Sequence, residues 1–139
     1  MDSIRSEIRY LSSLDGLAFK DIEIKELFYK AFPTLFRYSI IVEDLKNKEY
    51  WNSVSEYGLE VPKSWLIFVF EALESISLLV SDLEDPPYIC QIKEKYQTLR
   101  IYLKEMQPLD FTMSEQIENI IQKTNDKLLQ LNLREEYIK

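Results

Sequence analysis

The sequence predicts an α+β domain that is mainly helical, with a central apolar helix and one β-hairpin. The chain has 139 residues, the usual size of one domain, and 46% of them are hydrophobic. Residues 62–83 carry apolar side chains at helical spacing on nearly every side, as a buried helix does. Residues 88–105 hold two runs rich in β-branched and aromatic residues around a polar turn. We therefore expect residues 1–139 to form a single domain, and an all-α helical bundle is the alternative.

Two amphipathic helices are predicted near the start of the chain. The first covers residues 3–14, and Gly16 is well placed to end it. The second covers residues 21–32, where Asp21 is a suitable N-cap and Pro33 interrupts the backbone hydrogen bonding. Both present an apolar stripe at three-four spacing, so both should pack against a core.

The middle of the chain is harder to assign from its pattern. Residues 34–47 can form a helix after Pro33, but their β-branched run Ser39–Val42 also suits a strand. Residues 47–61 are predicted to be irregular. The central helix then begins near Pro62 and ends near Leu83. Its predicted buried residues are Trp65, Phe68, Ala72 and Ile76.

The last helix is predicted to open at Thr112. The order Thr112-Met113-Ser114-Glu115 fits the capping-box pattern, in which the first and fourth side chains satisfy free backbone amides. Apolar residues then recur at helical spacing as far as Leu131, which indicates one long amphipathic helix.

Residues 88–105 fit two different periodicities. Helical spacing aligns Ile92, Tyr96, Leu99, Leu103 and Met106, whereas alternation aligns Leu99, Ile101 and Leu103. The composition of the two arms favours strands joined by a turn at residues 95–98.

The segment QIKEKYQTLRIYL resembles a motif in a family of uncharacterised bacterial and phage-associated proteins, and the similarity extends over roughly residues 30–105. In that family Lys-Glu-Lys-Phe-Gly precedes Leu-Arg and an aromatic pair. The matching residues are Trp65, Lys93, Glu94, Lys95, Leu99, Arg100 and Tyr102. The resemblance implies a hairpin at residues 88–105. The family's glycine is Gln97 here, and the Cys-x-x-Cys-Gly segment that ends many members is missing, so no metal role carries over.

The composition excludes several kinds of active site. The chain has no histidine, one cysteine and two glycines, which rules out His-based nucleophile activation, thiolate or His zinc sites and Gly-rich phosphate loops. We expect no cofactor and no metal. Cys90 lies in an apolar context, which is typical of an inert buried thiol. The remaining catalytic candidates are Glu71 and Glu74, which are helical neighbours and can act as a carboxylate pair.

The charge balance points away from nucleic acids and membranes. The chain carries 24 acidic and 17 basic residues, a net charge of −7, whereas phosphate backbones and anionic membranes attract positive charge. The first residues lack the apolar core of a signal peptide, and no apolar run is long enough to span a membrane. We therefore expect a cytoplasmic protein.

The acidic residues are concentrated in the middle of the chain, and no Lys or Arg occurs from Ser64 to Ile92. The predicted partner-binding residues are Glu43, Asp44, Glu49, Glu56, Glu60, Asp82, Glu84 and Asp85. A field of one sign speeds encounter with a basic partner. The hypothesis is a non-catalytic protein-binding module, most concretely an acidic immunity-type protein that masks the active site of a basic toxin. The alternatives are a small-ligand-binding protein or a carboxylate-based enzyme, and a merely solvated surface explains the same charges.

The basic residues of the predicted hairpin also have two interpretations. Lys93, Lys95 and Arg100 can bind an anion such as phosphate. They can equally form a charged hairpin tip that deters pairing with other strands.

Overall fold

The computed structural model describes residues 2–45 and 48–138, and in them it shows an α+β fold. The six helices are α1 (Asp2–Ser12), α2 (Ile22–Ala31), α3 (Arg37–Leu45), α4 (Ser53–Tyr57), α5 (Leu66–Leu79) and α6 (Phe111–Ile138). The four strands are β1 (Leu17–Phe19), β2 (Gly58–Pro62), β3 (Tyr88–Lys95) and β4 (Thr98–Lys104). One continuous hydrophobic core includes residues from every helix and every strand, so the predicted α+β single domain is confirmed.

The strands form one sheet in the order β1-β2-β3-β4. β1 and β2 are antiparallel, as are β3 and β4, whereas β2 and β3 are parallel. The parallel pair needs a crossover, and α5 provides it. Strand β4 therefore lies at one edge of the sheet, and α6 packs beside it. Within the described residues, no helix is both long enough and apolar enough to cross a membrane.

Helix α5 is the central helix and packs between α1 and α6. Trp65, Ala72 and Ile76 are buried as predicted. Phe68 is only partly buried, so that prediction is wrong. Its side chain borders the cleft between α5 and α6, where Glu71 and Lys123 also lie, and this polar cleft keeps the ring partly in solvent.

Two of the predicted helix starts can be compared with the observed caps. Asp21 caps α2, because its Oδ1 accepts a hydrogen bond from the Ile24 amide at 3.0 Å. Helix α6 begins before Thr112, so the predicted capping box is wrong. Asp110 performs that role instead, since its Oδ1 accepts from the Met113 amide at 2.7 Å. A carboxylate also complements the positive end of the helix dipole, which a threonine does not.

The prediction that residues 47–61 are irregular is wrong, because this segment contains α4 and most of β2. The Asn52 side chain caps α4 by accepting a hydrogen bond from the Ser55 amide at 3.1 Å, and the Ser55 hydroxyl oxygen accepts one from the Asn52 amide. Gly58 then turns the chain into β2 with φ +68°, a conformation that glycine adopts at little cost. Strand β2 is short, and its partners lie far away in the sequence, so no local alternation marks it. The ambiguous segment 34–47 contains α3, and its last two residues, 46–47, lie outside the described residues.

The hairpin at residues 88–105 is confirmed. Ile92 pairs with Ile101, and Lys95 pairs with Thr98 across the turn. The turn residues Tyr96 and Gln97 have φ of +52° and +65°. These values are typical of a two-residue hairpin turn whose backbone twist matches that of the two strands it joins. Gln97 therefore adopts the left-handed backbone that the glycine of the resembling family would favour.

Strand β3 contains a bulge at Cys90. The register passes from Ile89–Leu103 to Gln91–Tyr102 and leaves Cys90 unmatched. Because one extra residue reverses the alternation, Ile89 and Ile92 both face the core, although they are three positions apart.

Candidate functional site

Glu43 is paired with a buried lysine. Its carboxylate forms an ion pair with the Nζ of Lys25, which also donates to the Ser55 carbonyl at 3.2 Å. Lys25 is 8% exposed, so the ion pair with Glu43 offsets the cost of burying its charge. The pair joins α2, α3 and the first turn of α4, and Glu43 therefore has a structural role in addition to any contact with a partner.

Tyr29 lies beside this ion pair. Its hydroxyl is buried and makes no hydrogen bond of ordinary geometry, although Glu43 and Ser39 are next to it. Burial, followed by the negative charge of Glu43, raises the pKa of the Tyr29 phenol. The hydroxyl therefore stays protonated in the folded protein above the pH at which an exposed phenol ionises.

Two more of the predicted acidic residues have partners in the chain. Asp85 accepts a hydrogen bond from the Arg37 guanidinium at 3.0 Å. Glu60 accepts from the Gln91 side chain at 2.9 Å, across the β2–β3 pair. The basic residue that neutralises Asp85 comes from α3, so the absence of Lys and Arg between Ser64 and Ile92 does not leave that acid without a cation.

The remaining predicted acids are exposed and lie in two groups. Lys25 links Glu43 to Ser55, which places Asp44 and Glu56 at the same end of the helical layer formed by α2, α3 and α4. Asp82 and Glu84 follow α5, near the opposite end of α3, where Arg37 contacts Asp85. Glu43 lies six positions after Arg37 in α3, about 9 Å along the helix axis. The predicted set is therefore spread over both ends of α3.

We call the surface that includes Asp44 and Glu56 the acidic end. We assign Glu49 and Trp51 to it as well, because they directly precede α4 in the chain. All four side chains are exposed, and Trp51 has 52% of its surface in solvent. Asp44 and Glu56 make no ion pair within the part of the chain that the structure describes. No feature of the sequence distinguishes Trp51 from its neighbour Tyr50, whose ring packs on Tyr38.

The residues of the resembling motif divide between the core and one face of the sheet. Trp65 and Leu99 are buried. Lys93 lies directly opposite Arg100, and Gln91 lies opposite Tyr102, so these side chains share the outer face of the hairpin. Lys95 shares that face by alternation, whereas Glu94 points to the other side.

We call this outer face the basic face, and it consists of Lys93, Lys95, Arg100, Tyr102 and Lys104. Lys93 lies over the Tyr102 ring at 5.6 Å from its centroid. Lys93 and Arg100 are like charges on directly opposite positions, an arrangement that destabilises a sheet. None of the four cations has an ion-pair partner among the described residues. An acidic protein thus keeps four cations on one small surface.

The two candidate catalytic carboxylates point to different neighbours. Glu74 forms an ion pair with Arg5 of α1. Glu71 lines a cavity of about 200 Å³ between α5 and α6 together with Lys123 and Lys127. Within residues 2–45 and 48–138, no group of carboxylates and thiols is arranged to hold a metal ion. Glu74 therefore contacts α1, whereas Glu71 borders the cavity beside α6.

Cys90 is half-buried at the bulge of β3. Burial raises the pKa of its thiol, and nearby Lys104 only partly offsets that effect. A raised thiol pKa keeps the group protonated and unreactive near neutral pH, in agreement with the inert thiol that the sequence predicts.

A groove between β4 and α6 was not predicted from the sequence. It has a volume of about 420 Å³, and its walls include Ile101, Tyr102, Glu118, Ile121 and Asn125. The Asn125 side chain accepts from the Leu99 amide at 2.6 Å and donates to the Leu99 carbonyl at 3.1 Å. Asparagine is a poor residue for a helix interior, and that was the only signal in the sequence.

Comparison of the chain with protein-family models, with curated proteins and with solved structures gives no match. The resemblance of residues 30–105 to an uncharacterised family therefore remains a prediction, and the candidate sites rest on the geometry described above.

Proposed function

We propose that the protein is a non-catalytic protein-binding module that docks a basic partner on its acidic end. The observation that carries the proposal is the half-exposed Trp51, which lies directly before α4, the helix that carries the exposed Glu56. In its most concrete form the protein is an immunity-type inhibitor, and the partner is a toxin domain whose active site is basic.

An exposed tryptophan is a typical anchor of a protein interface. Tryptophan is enriched among the few residues that supply most of the binding energy, and its loss commonly costs about 2 kcal/mol or more. Trp51 lies just before the capped start of α4, where Asn52 and Ser55 hold the backbone by reciprocal hydrogen bonds. A rigid backbone reduces the entropy that is lost when the ring is immobilised.

The exposed carboxylates of the acidic end supply steering and selectivity. Exposed charges act mainly on the association rate, and salt screens them over about 8 Å at physiological strength. Asp82 and Glu84, at the other end of α3, extend the negative field without belonging to the same contact. Glu43 and Asp85 are poor choices for probing the interface, since both hold structural ion pairs.

The test measures association of the chain with the product of the gene adjacent to its own, at low and at physiological salt. We expect W51A to weaken binding about thirtyfold, mostly through faster dissociation. We expect the double variant D44N/E56Q to slow association and to flatten its salt dependence. The matched control is E7Q/E115Q, which removes the same charge from exposed positions of α1 and α6.

Two results would count against this function. If E7Q/E115Q slows association as much as D44N/E56Q, the effect comes from net charge and not from the acidic end. If the adjacent product shows no saturable binding while a divalent ion or small metabolite raises the melting temperature, the protein binds a small ligand instead.

A further inference from the structure

The outer edge of β4 carries backbone groups without partners in the described chain. The pairs of an antiparallel hairpin alternate between hydrogen-bonded and non-hydrogen-bonded, starting from the hydrogen-bonded pair Lys95–Thr98 that flanks the two-residue turn. Thr98, Arg100 and Tyr102 therefore bond to β3, and the amides and carbonyls of Leu99, Ile101 and Leu103 point away from it. Asn125 satisfies both groups of Leu99. Those of Ile101 and Leu103 make no hydrogen bond within the described residues, and such groups are a template for another strand.

The contact with Asn125 shows what this edge accepts. A side-chain amide has the same donor and acceptor as a peptide group, and here it bonds to the N–H and C=O of one residue, as a neighbouring strand does. The Asn125 side chain occupies the edge of β4 at Leu99 and does not cover the outward-pointing backbone groups of Ile101 and Leu103. The groove of about 420 Å³ begins at this point, and its volume falls within the range of about 300 to 1,000 Å³ that is common for ligand clefts.

The chemistry beside the edge defines the side chains of an added strand. On the outer side, its residues would lie next to Arg100, Tyr102 and Lys104, which are exposed. Opposite charges on neighbouring strands attract, so acidic residues fit there. On the inner side, the added residues would face Ile121 and Glu118 on α6, where apolar residues fit and acidic ones are repelled.

From these observations we propose that the groove between β4 and α6 binds an extended peptide segment of another protein, which adds to β4 as a fifth strand and alternates acidic with apolar residues. Main-chain hydrogen bonds to Ile101 and Leu103 give affinity, and the basic face gives selectivity, as in other cases of strand addition. This surface is separate from the acidic end, so the proposal does not depend on the function proposed above.

A nucleic acid is the competing occupant of a basic face with an exposed tyrosine, and the structure favours the peptide. Single-stranded nucleic acids need a basic track and several stacking rings. The basic face is only two strands wide, and Glu60 flanks it on β2 opposite Lys93. A nucleic acid would also leave the backbone groups of Ile101 and Leu103 without partners.

The test uses the ¹⁵N-labelled full chain and follows its amide signals as three probes are added. The probes are a short peptide that alternates Glu with Val, the same peptide with Lys in place of Glu, and a short oligothymidylate. We expect saturable shifts with the Glu–Val peptide alone, together with slower hydrogen exchange at the amides of Ile101 and Leu103.

A pair of matched variants tests the role of charge. R100Q/K104Q should weaken binding of the Glu–Val peptide about tenfold, because two cross-strand charge pairs are lost. K123Q/K127Q removes the same charge from exposed positions of α6 in the cleft with α5, and should leave the affinity unchanged. All four residues are exposed, so the fold should tolerate the changes.

Three outcomes would overturn the proposal. The first is that no probe gives saturable shifts, or that the Lys–Val peptide binds as well as the Glu–Val peptide. The second is that the Glu–Val peptide shifts side-chain signals of the basic face without protecting the amides of Ile101 and Leu103. The third is that the oligothymidylate binds more tightly than the peptide, which would assign the basic face to nucleic acid.

Discussion

The helical layer of α2, α3 and α4 and the β3–β4 hairpin both hold closely spaced charges, but they use them differently. In the helical layer, Lys25 is buried and its charge is matched by Glu43. In the hairpin, Lys93 and Arg100 face each other on the outer surface, and neither forms an ion pair within the described residues. The first arrangement stabilises the fold, whereas the second slightly weakens it and leaves the charges open to a partner.

Periodicity explains why the directions of the charged side chains can be predicted from the sequence in the hairpin but not in the helical layer. Alternation along a strand sorts side chains onto two faces, so Lys93 and Lys95 on one side and Glu94 on the other follow from the sequence once the hairpin is known. Charges on different helices have no such rule. Whether Glu43 faces solvent or Lys25 depends on how α2 and α3 pack.

The largest expected effect comes from breaking the ion pair of the helical layer. E43Q should lower the free energy of unfolding by about 2 to 3 kcal/mol, because Lys25 would keep a buried charge without its partner. This is below the loss of about 3 to 5 kcal/mol typical of a fully buried pair, since the Glu43 side chain is 33% exposed. Urea denaturation measures the change.

The double variant K25M/E43L is the control for this result. Replacing a buried ion pair by apolar residues is often neutral or stabilising. The double variant should therefore recover most of the stability that E43Q loses. Equal losses in both variants would mean that packing of the Glu43 stem matters more than its charge.

The buried phenol next to this ion pair should make stability depend on alkaline pH. Burial raises the pKa of the Tyr29 phenol above its ordinary value of about 10, so above about pH 10 the unfolded chain releases this proton while the folded chain keeps it. Stability is then lost as the pH rises, by about 1.4 kcal/mol per pH unit from this one group. Thermal melts between pH 9 and 11 follow the loss.

Y29F should remove this part of the alkaline loss and leave stability near neutral pH almost unchanged, because the hydroxyl makes no hydrogen bond. Y10F is the matched control, since Tyr10 is 63% exposed. If Y10F reduced the alkaline loss as much as Y29F, the burial of Tyr29 would not be the cause.

In the hairpin, the turn offers a smaller gain. Q97G should stabilise the protein by about 1 kcal/mol, because glycine relieves the strain of the left-handed backbone at φ +65°. T98G tests whether glycine is favourable anywhere in the hairpin. Thr98 lies in β4 and its hydroxyl donates to the Lys95 carbonyl at 2.6 Å, so this variant should lose stability instead.

The smallest expected effect comes from reversing a charge on the basic face. R100E should raise the free energy of unfolding by about 0.5 kcal/mol at low salt, since a like-charge pair with Lys93 becomes an opposite pair. The gain should shrink as salt is added. K123E changes the net charge equally without touching the hairpin, and a similar gain there would show that Lys93 is not involved.

The elements that the sequence predicts well are those with a local signal. Asp21 marks the start of α2, and the composition of the two arms marks the hairpin, although their spacing also fits a helix. The turn itself has no glycine, so its left-handed residues Tyr96 and Gln97 are invisible in the sequence. The parallel strand β2 was missed because its stability comes from β3, on the far side of α5.

The candidate sites were predicted less completely than the fold. Composition directed attention to the acidic residues, and the hairpin motif to Lys93, Lys95 and Arg100. Neither pattern shows which charges the fold uses internally, and Glu43 and Asp85 illustrate this. Trp51 and Asn125 were missed, because an aromatic residue can lie inside or outside and a single asparagine in a helix has no partner in its own segment.

The order of strands in the sheet also sets an order of events in folding. The hairpin closes across the short turn between Lys95 and Thr98, whereas β2 and β3 must bring Glu60 and Lys93 together around the whole of α5. Closing the longer loop costs more chain entropy before any contact is gained, and contacts between distant residues slow folding. We expect the hairpin to form early and β2 to join late, so the β3 edge that later receives β2 stays open during the slowest step.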